Sequence, residues 1–210
     1  MPGTRAVIFD LDEVLIDGRR AWQYAVEEAV ALVCGRRVDA SPLVAEYRTR
    51  PWRHALSVLV ASPQECERCE ELCHRLIRRS AMKRLLVHEG MAMALDSVRA
   101  EQVEMGAVSR ERHEIALKQV QSTGLDRFLT VLSATPQDES WDVERRFAEC
   151  LHFLEREASQ AAFVGGCAAD LERVATTGAR CLAARWSAPG AAGFASVESP
   201  GLLAASLLRR

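Results

Sequence analysis

Two carboxylates stand two residues apart in the sequence, directly after a short apolar run. The run covers residues 6–9, and the two acids are Asp10 and Asp12. Because the side chains of a strand alternate between its faces, residues two apart point the same way, and both carboxylates can face one crevice. One could attack a phosphorus atom while the other handles the proton of the leaving group or the water, with a cation holding acids and phosphate together. The alternative is a pair of ordinary solvated turn acids.

The neighbouring sequence predicts the elements that must position this pair. The apolar, β-branched residues before Asp10 predict a strand buried on both faces of a parallel sheet, and ligands of open α/β sheets bind beyond the carboxyl ends of such strands. Alternating strand and helix signals along the chain predict a doubly wound parallel sheet. Further strands are predicted at residues 103–109, 128–132, 161–165 and 180–184, and helices at 91–100, at 111–123, after a cap at Ser140, up to Thr177 and at 202–208.

Residues 19–84 carry no strand signal and predict a separate helical region. Ser62 precedes Pro63, and serine before a first-turn proline is a typical helix start. We therefore expect an α/β core of residues 1–18 and 85–210, with an all-helical domain of residues 19–84 inserted between its two parts. The helical patterns run over residues 19–34, where Gly35 follows, from Ser41 to an interruption near Arg50-Pro51, and from Ser62 to about Met82.

The segment of residues 9–17, which reads FDLDEVLID, resembles the first motif of the haloacid dehalogenase-like (HAD) hydrolase superfamily. The resemblance implies that Asp10 is a nucleophile that forms an aspartyl-phosphate and that Asp12 is the general acid/base. It also implies a Rossmann-like core with a small helical cap after the first strand. Phosphatase members carry this Asp-x-Asp form, whereas true dehalogenases usually lack the second Asp, so the resemblance favours phosphoryl chemistry.

Two further positions match later motifs of the superfamily. Ser109 ends a predicted strand, and the resemblance implies that it binds the phosphoryl oxygens, although a serine there could simply cap the next helix. Asp170 matches the second acid of the fourth motif, which usually reads Gly-Asp-x-x-x-Asp. The resemblance implies a Mg²⁺ ion with Asp10, Asp12 and Asp170 as its ligands.

The third motif of the superfamily, a lysine that balances the charge of nucleophile and phosphate, has no direct counterpart. The family pattern places Trp141 at its position, and no lysine follows Lys118. Arg145 and Arg146 are nearby candidates, but their spacing is off by about one helical turn. Exposed arginines that only aid solubility are the alternative.

The first acid of the fourth motif is also missing. Gly166 stands in its place and offers no side-chain ligand, which weakens a site for a hard cation that depends on the number of oxygen ligands. Glu13 stands where the first motif usually has glycine, and it could supply the missing carboxylate. An ordinary exposed turn glutamate is the alternative.

The cysteines suggest a second possible site. Seven cysteines occur, and free thiols are favoured over a disulfide framework. Cys66, Cys69 and Cys73 share one face of a predicted helix, and a zinc site there would need another ligand such as His54 or Cys34. Buried cysteines that pack as small hydrophobic residues are the alternative.

Composition narrows the function further. The chain has 210 residues, a net charge of −2 with acids and bases interspersed, and no apolar run of membrane-spanning length. We therefore expect a cytoplasmic protein that binds neither nucleic acid nor a membrane. The first hypothesis is a magnesium-dependent phosphomonoesterase acting on a small phosphorylated metabolite. The second is a catalytically degenerate relative that binds a ligand or a protein partner.

Overall fold

A computed structural model describes residues 3–46, 52–136, 139–187, 191 and 193–208. It divides into two compact units, one formed by Met1–Asp17 with Leu86–Arg210 and the other by Gly18–Leu85. The predicted interruption near Arg50-Pro51 lies outside the described residues. None of the described helices is both long and apolar enough to cross a membrane.

Eight strands and nine α-helices are found in the described residues. The strands are β1 (Ala6–Asp10), β2 (Ile16–Asp17), β3 (Leu86–Val87), β4 (Glu104–Arg112), β5 (Val131–Thr135), β6 (Ala161–Gly165), β7 (Arg180–Ala184) and β8 (Ala195–Val197). The helices are α1 (Arg19–Cys34), α2 (Ser41–Glu46), α3 (Trp52–Leu59), α4 (Pro63–Ile77), α5 (Met91–Ala100), α6 (His113–Thr123), α7 (Val143–Leu154), α8 (Ala168–Ala175) and α9 (Leu203–Leu208).

The larger unit is built on a six-stranded parallel sheet in the order β5-β4-β1-β6-β7-β8. This topology confirms the predicted Rossmann-like, doubly wound α/β fold. Strand β1 lies in the interior of the sheet, and all five of its residues are buried, as its apolar composition predicts. Its register pairs Asp10 with Val108 of β4, which sets Asp10 beside the residue that precedes Ser109.

Several predicted limits in this unit were wrong. Strand β4 was predicted to end at Ser109 but continues to Arg112, and α6 therefore begins at His113 and not at residue 111. The strand predicted at residues 128–132 begins at Val131, because Phe128 closes a short 3₁₀ turn instead. The cap of α7 is Asp142, whose side chain accepts a hydrogen bond from the Arg145 N–H, and not Ser140. Strand β8 was not predicted, and only Val197 of its three residues is buried.

The smaller unit consists of helices, and α1 packs on α4. Helix α1 ends as predicted at Gly35, which has the positive φ of 67° that a glycine adopts readily. Ser62 caps α4 as predicted by accepting a hydrogen bond from the Glu65 N–H, but α4 ends at Ile77 and does not reach Met82.

Two of the three cysteines of α4 face α1. The Cys69 thiol donates to the Ala29 carbonyl at 3.8 Å, and the Cys73 thiol donates to the Ala25 carbonyl at 3.5 Å. Both thiols are fully buried. Among the described side chains, no three metal-ligating groups could hold an ion together, and the candidate zinc ligand His54 lies outside those side chains.

Candidate active site

Asp10 ends β1 and is 1% exposed. Its Oδ1 accepts hydrogen bonds from the backbone N–H groups of Asp12 and Glu13, each at 3.1 Å. These bonds cap a single π-helical turn, Leu11–Leu15, that follows the strand directly. The other oxygen, Oδ2, is buried and has no hydrogen-bond partner among the described residues. One oxygen of this carboxylate is therefore held in place while the other is open to a ligand.

The surroundings of Asp10 favour its protonated form. Burial raises the pKa of this carboxyl well above its usual value of 3.8, and the negative charges of Glu13 and Asp12 raise it further. The positive charge of Arg110 acts in the opposite direction. The Asp10 carboxyl consequently keeps its proton to a higher pH than an exposed aspartate does.

Asp12 lies against the carboxyl end of β4. Its Oδ2 accepts one hydrogen bond from the Ser109 hydroxyl and one from the Arg110 backbone N–H, both at 2.8 Å. The pairing of β4 with β5 shifts register between Ser109 and Arg112, a local irregularity that is typical of strand ends near functional sites. The structure thus brings Asp10, Asp12 and Ser109 to one edge of the sheet, with the serine hydroxyl directed at Asp12.

Asp170, in the first turn of α8, is held by two side chains from other elements. An Nη2 group of Arg110 forms an ion pair with its Oδ2. The indole N–H of Trp141 donates to both of its carboxylate oxygens, at 3.2 and 3.3 Å. The Arg110 guanidinium also stacks over the Trp141 ring at 4.9 Å. Sequence reasoning missed Arg110, and its direct succession to Ser109 is the signal that could have indicated it.

The two arginines proposed from sequence as substitutes for the motif lysine are engaged elsewhere. Arg145 pairs with Glu139 at 2.9 Å. Arg146 is buried and forms ion pairs with Glu139 and Glu149, both at 3.0 Å. In the described part of the chain, neither arginine makes a hydrogen bond or ion pair with Asp10 or Asp170.

The Glu13 side chain lies where a side chain at position 166 would have to be placed. A Cβ atom built on Gly166 would lie 2.6 Å from the Glu13 Oε2 and 2.1 Å from the Ser187 Oγ. Glu13 is 3% exposed, so the alternative of an exposed turn glutamate is wrong. The Glu13 side chain therefore fills the volume that a side chain at position 166 would need, and the two departures from the motifs are linked.

The donor set does not fit a metal ion in the described arrangement. The described residues include no three His, Cys, Asp or Glu side chains that could hold one together. Asp170 Oδ2 is paired with Arg110, and Asp12 Oδ2 accepts two hydrogen bonds, while Gly166 offers no ligand. The ligand set of Asp10, Asp12 and Asp170 stays a prediction of the resemblance.

A doubly wound parallel sheet with an aspartate pair at its carboxyl edge defines a Rossmann-like α/β protein of the kind that carries out aspartate-based chemistry. The model of the haloacid dehalogenase-like hydrolase family matches residues 7–184, and the chain belongs to this family. The resemblance of its first motif is thereby confirmed. Phosphatases of this superfamily generally use Mg²⁺.

Solved structures agree with this assignment at the level of the fold. A HAD-superfamily hydrolase of subfamily IA from Geobacter sulfurreducens superposes with a TM-score of 0.80 at 19% identity, over 97% of this chain and 96% of the other. A haloacid dehalogenase-like hydrolase from Streptococcus pneumoniae has a TM-score of 0.80 at 13% identity, over 97% and 98% of the two chains. A protein described as a predicted phosphatase from Clostridium acetobutylicum has a TM-score of 0.81 at 13% identity, over 98% and 99%. No curated protein matches the chain by sequence.

Proposed function

We propose that this protein hydrolyses phosphate monoesters of small metabolites through an aspartyl-phosphate intermediate on Asp10. The observation that carries the proposal is the asymmetry of the Asp10 carboxylate. Its Oδ1 is fixed by two backbone N–H groups, and its buried Oδ2 has no partner among the described residues. A fixed carboxylate with one open oxygen at the carboxyl edge of a parallel sheet is suited to attack on phosphorus.

The reaction has two displacement steps. In the first, Oδ2 of the ionised Asp10 carboxylate forms a bond to phosphorus, the ester P–O bond breaks, and a protonated Asp12 gives its proton to the departing alcohol oxygen. In the second, water attacks the same phosphorus, Asp12 takes the proton of that water, and the bond from phosphorus to Asp10 breaks to release inorganic phosphate. No step is routed through the predicted magnesium ion, because the donor set does not fit it.

Ser109 would bind the phosphoryl oxygens in this proposal. Its hydroxyl now donates to Asp12 and accepts from the Glu111 N–H at 3.1 Å. A bound phosphate would accept the hydrogen bond that this hydroxyl now donates to Asp12, and the Asp12 oxygen would then be free of it during proton transfer. Substrate binding and the readiness of the general acid are then coupled through one hydroxyl group.

The alternative is a catalytically degenerate member that binds a ligand or a protein partner. Two observations favour it: Trp141 stands at the position of the motif lysine, and Arg110 is already paired with Asp170. For either function we propose a reducing compartment such as the cytoplasm, because none of the seven cysteines, all of them described residues, forms a disulfide.

The test is hydrolysis of an aryl phosphate and of a panel of phosphorylated metabolites, with the wild-type chain beside Asp10→Asn and Asp96→Asn. Asp96 is a half-exposed acid on α5 and serves as a control for the loss of one carboxylate. We expect turnover by the wild type and Asp96→Asn that Asp10→Asn lacks. Equal background rates from all three proteins on the whole panel would support the degenerate alternative.

A further inference from the structure

The Arg110 guanidinium is the basic group that reaches the acidic cluster of the site. The side chain is 31% exposed, whereas that of Asp170, its ion-pair partner, is 7% exposed. Arg110 also interacts electrostatically with Asp10 and Glu13. Among the described residues, Asp170 forms its ion pair with Arg110.

Trp141 contacts both partners of this ion pair. Its ring lies under the guanidinium, and its N–H group donates to the carboxylate that the guanidinium binds. An aromatic platform of this kind reduces the freedom of an arginine side chain without adding charge. Arg110, Trp141 and Asp170 therefore form one preorganised unit that comes from β4, the loop before α7, and α8.

The positive charge of Arg110 already neutralises the Asp170 carboxylate, so little negative charge there is left for a divalent cation to bind. An ion bound beside Asp170 would have to displace a guanidinium that already makes a largely buried ion pair and a cation–π contact. Breaking such a pair is costly, because it leaves a charge without its partner in a medium of low polarity. The side chain thus competes directly with a metal ion for the same oxygen atoms.

We propose that the Arg110 guanidinium is the resident cation of this site and that it takes the place of a divalent metal ion. The inference rests on the proposed function only for the identity of the site, since Arg110 would neutralise the same acids in a protein that merely binds a ligand. Within the proposed reaction, the guanidinium lies where it can stabilise negative charge on a transferring phosphoryl group.

The test measures magnesium binding directly. The full-length wild type, Arg110→Gln and Arg99→Gln are titrated with MgCl₂ at constant ionic strength, and binding is followed by calorimetry and by the shift in melting temperature. Arg99 is an exposed arginine paired with Asp96, so its substitution removes the same charge away from the site. We expect Arg110→Gln to bind Mg²⁺ at least about tenfold more tightly than the wild type and Arg99→Gln do. Neither the wild type nor Arg99→Gln should saturate at millimolar Mg²⁺.

Stoichiometric saturation of the wild type at submillimolar Mg²⁺ overturns the inference, whether or not Arg110→Gln folds. Arg110→Lys provides a second check, because it keeps the positive charge and should stay as insensitive to Mg²⁺ as the wild type. An Arg110→Lys protein that binds Mg²⁺ as tightly as Arg110→Gln would also overturn it.

A parallel hydrolysis assay separates this inference from the proposed function. Wild-type turnover that persists in EDTA supports both. Turnover that requires Mg²⁺ supports the phosphatase and overturns the role of Arg110. The absence of turnover from a wild type that also ignores Mg²⁺ overturns the phosphatase and supports Arg110 as the resident cation.

Discussion

The Asp10 carboxyl lies where it can react, but its ionised form lowers the free energy of unfolding of the protein. It is buried, and its nearest ionisable neighbours include two acids, Glu13 and Asp12. In the unfolded chain this group loses its proton near its usual pKa of 3.8, whereas in the folded protein it keeps the proton to higher pH. The folded state therefore binds more protons over that interval, and the free energy of unfolding falls as pH rises through the folded-state pKa.

Asp10→Asn removes this titration and should stabilise the protein at neutral pH. We expect its melting temperature at pH 7 to exceed that of the wild type by a few degrees, since about 1 kcal/mol corresponds to roughly 2–4 °C for a chain of this size. The gain should shrink as the pH approaches 4. Thermal melts from pH 4 to pH 8 measure it, with Asp96→Asn as the exposed control. A difference that stays constant over this range would contradict the prediction.

The contact between Glu13 and Gly166 predicts strong coupling of two substitutions. Gly166→Asp alone should lower the free energy of unfolding by about 1–3 kcal/mol, because its Cβ would collide with Glu13 and Ser187. Glu13→Gly vacates part of that space, so the double variant should be more stable than the sum of the single effects predicts. Denaturant melts of the full cycle measure the coupling.

Gly201→Asp is the matched control for this cycle, because no atom lies within 4 Å of a Cβ placed at Gly201. It should be close to neutral and additive with Glu13→Gly. If the effects of Gly166→Asp and Glu13→Gly are also additive, the introduced aspartate does not compete with the Glu13 side chain for the same volume.

Sequence reasoning reached most of the site at this scale and missed its cation. Asp10, Asp12, Ser109 and Asp170 stand at fixed distances from strand ends, so spacing and motif could indicate them. Arg110 directly follows Ser109, but its contact with Asp170 depends on the direction of a side chain in the irregular part of β4, which the motif does not reveal. Its partner lies sixty residues further along the chain.

At the scale of elements, α4 provides a test of helix packing. Cys66 and Cys73 lie on the same helix, but Cys66 is partly exposed and Cys73 is fully buried. Burial raises the pKa of the Cys73 thiol to about 12, so almost no thiolate is present there at neutral pH. We expect Cys66 to react with N-ethylmaleimide at least about tenfold faster than Cys73 in the native protein.

Mass spectrometry of the labelled peptides measures both rates in one sample, and each cysteine serves as the reference for the other. Denaturant should remove the difference. Equal native rates would mean that α4 does not hold Cys73 against α1.

The limits predicted for α1, α5, β6 and β7 agree with the structure, whereas the start of β5 and the whole of β8 were missed, for a physical reason. The limits of α1 and the start of α4 follow from local chemistry, namely a left-handed glycine and a serine cap. Strand β8 depends on pairing with β7 at a sheet edge, and only Val197 of its residues is buried, so no local pattern marks it. The start of β5 was missed because Phe128 is apolar but ends a turn.

At the scale of the whole molecule, a short antiparallel ladder marks where one unit interrupts the other. Asp17 of β2 lies opposite Leu86 of β3, so the two ends of the larger unit already face each other as in a hairpin. Replacing residues 18–85 by Asn-Gly should close this ladder with a two-residue turn. We expect the shortened protein to unfold cooperatively with an α/β circular dichroism spectrum.

The control for this excision joins Asp17 directly to Leu86. Without turn residues the ladder cannot close, and this variant should melt at a lower temperature than the Asn-Gly protein. A broad, non-cooperative transition in the Asn-Gly protein would contradict the prediction that the larger unit is held by its own contacts.

The register of β1 also fixes an order of events during synthesis. Ala6 pairs with Glu104 on one side and with Ala161 on the other. At roughly 5–20 residues per second, this apolar strand therefore waits about 5–20 s on the ribosome before its first partner is made. The helices of residues 18–85 form from nearby residues and can be complete in that interval. The fully buried strand β1 is thus made well before the two strands that pair with its edges, and its backbone hydrogen-bonding groups lack their sheet partners during that interval.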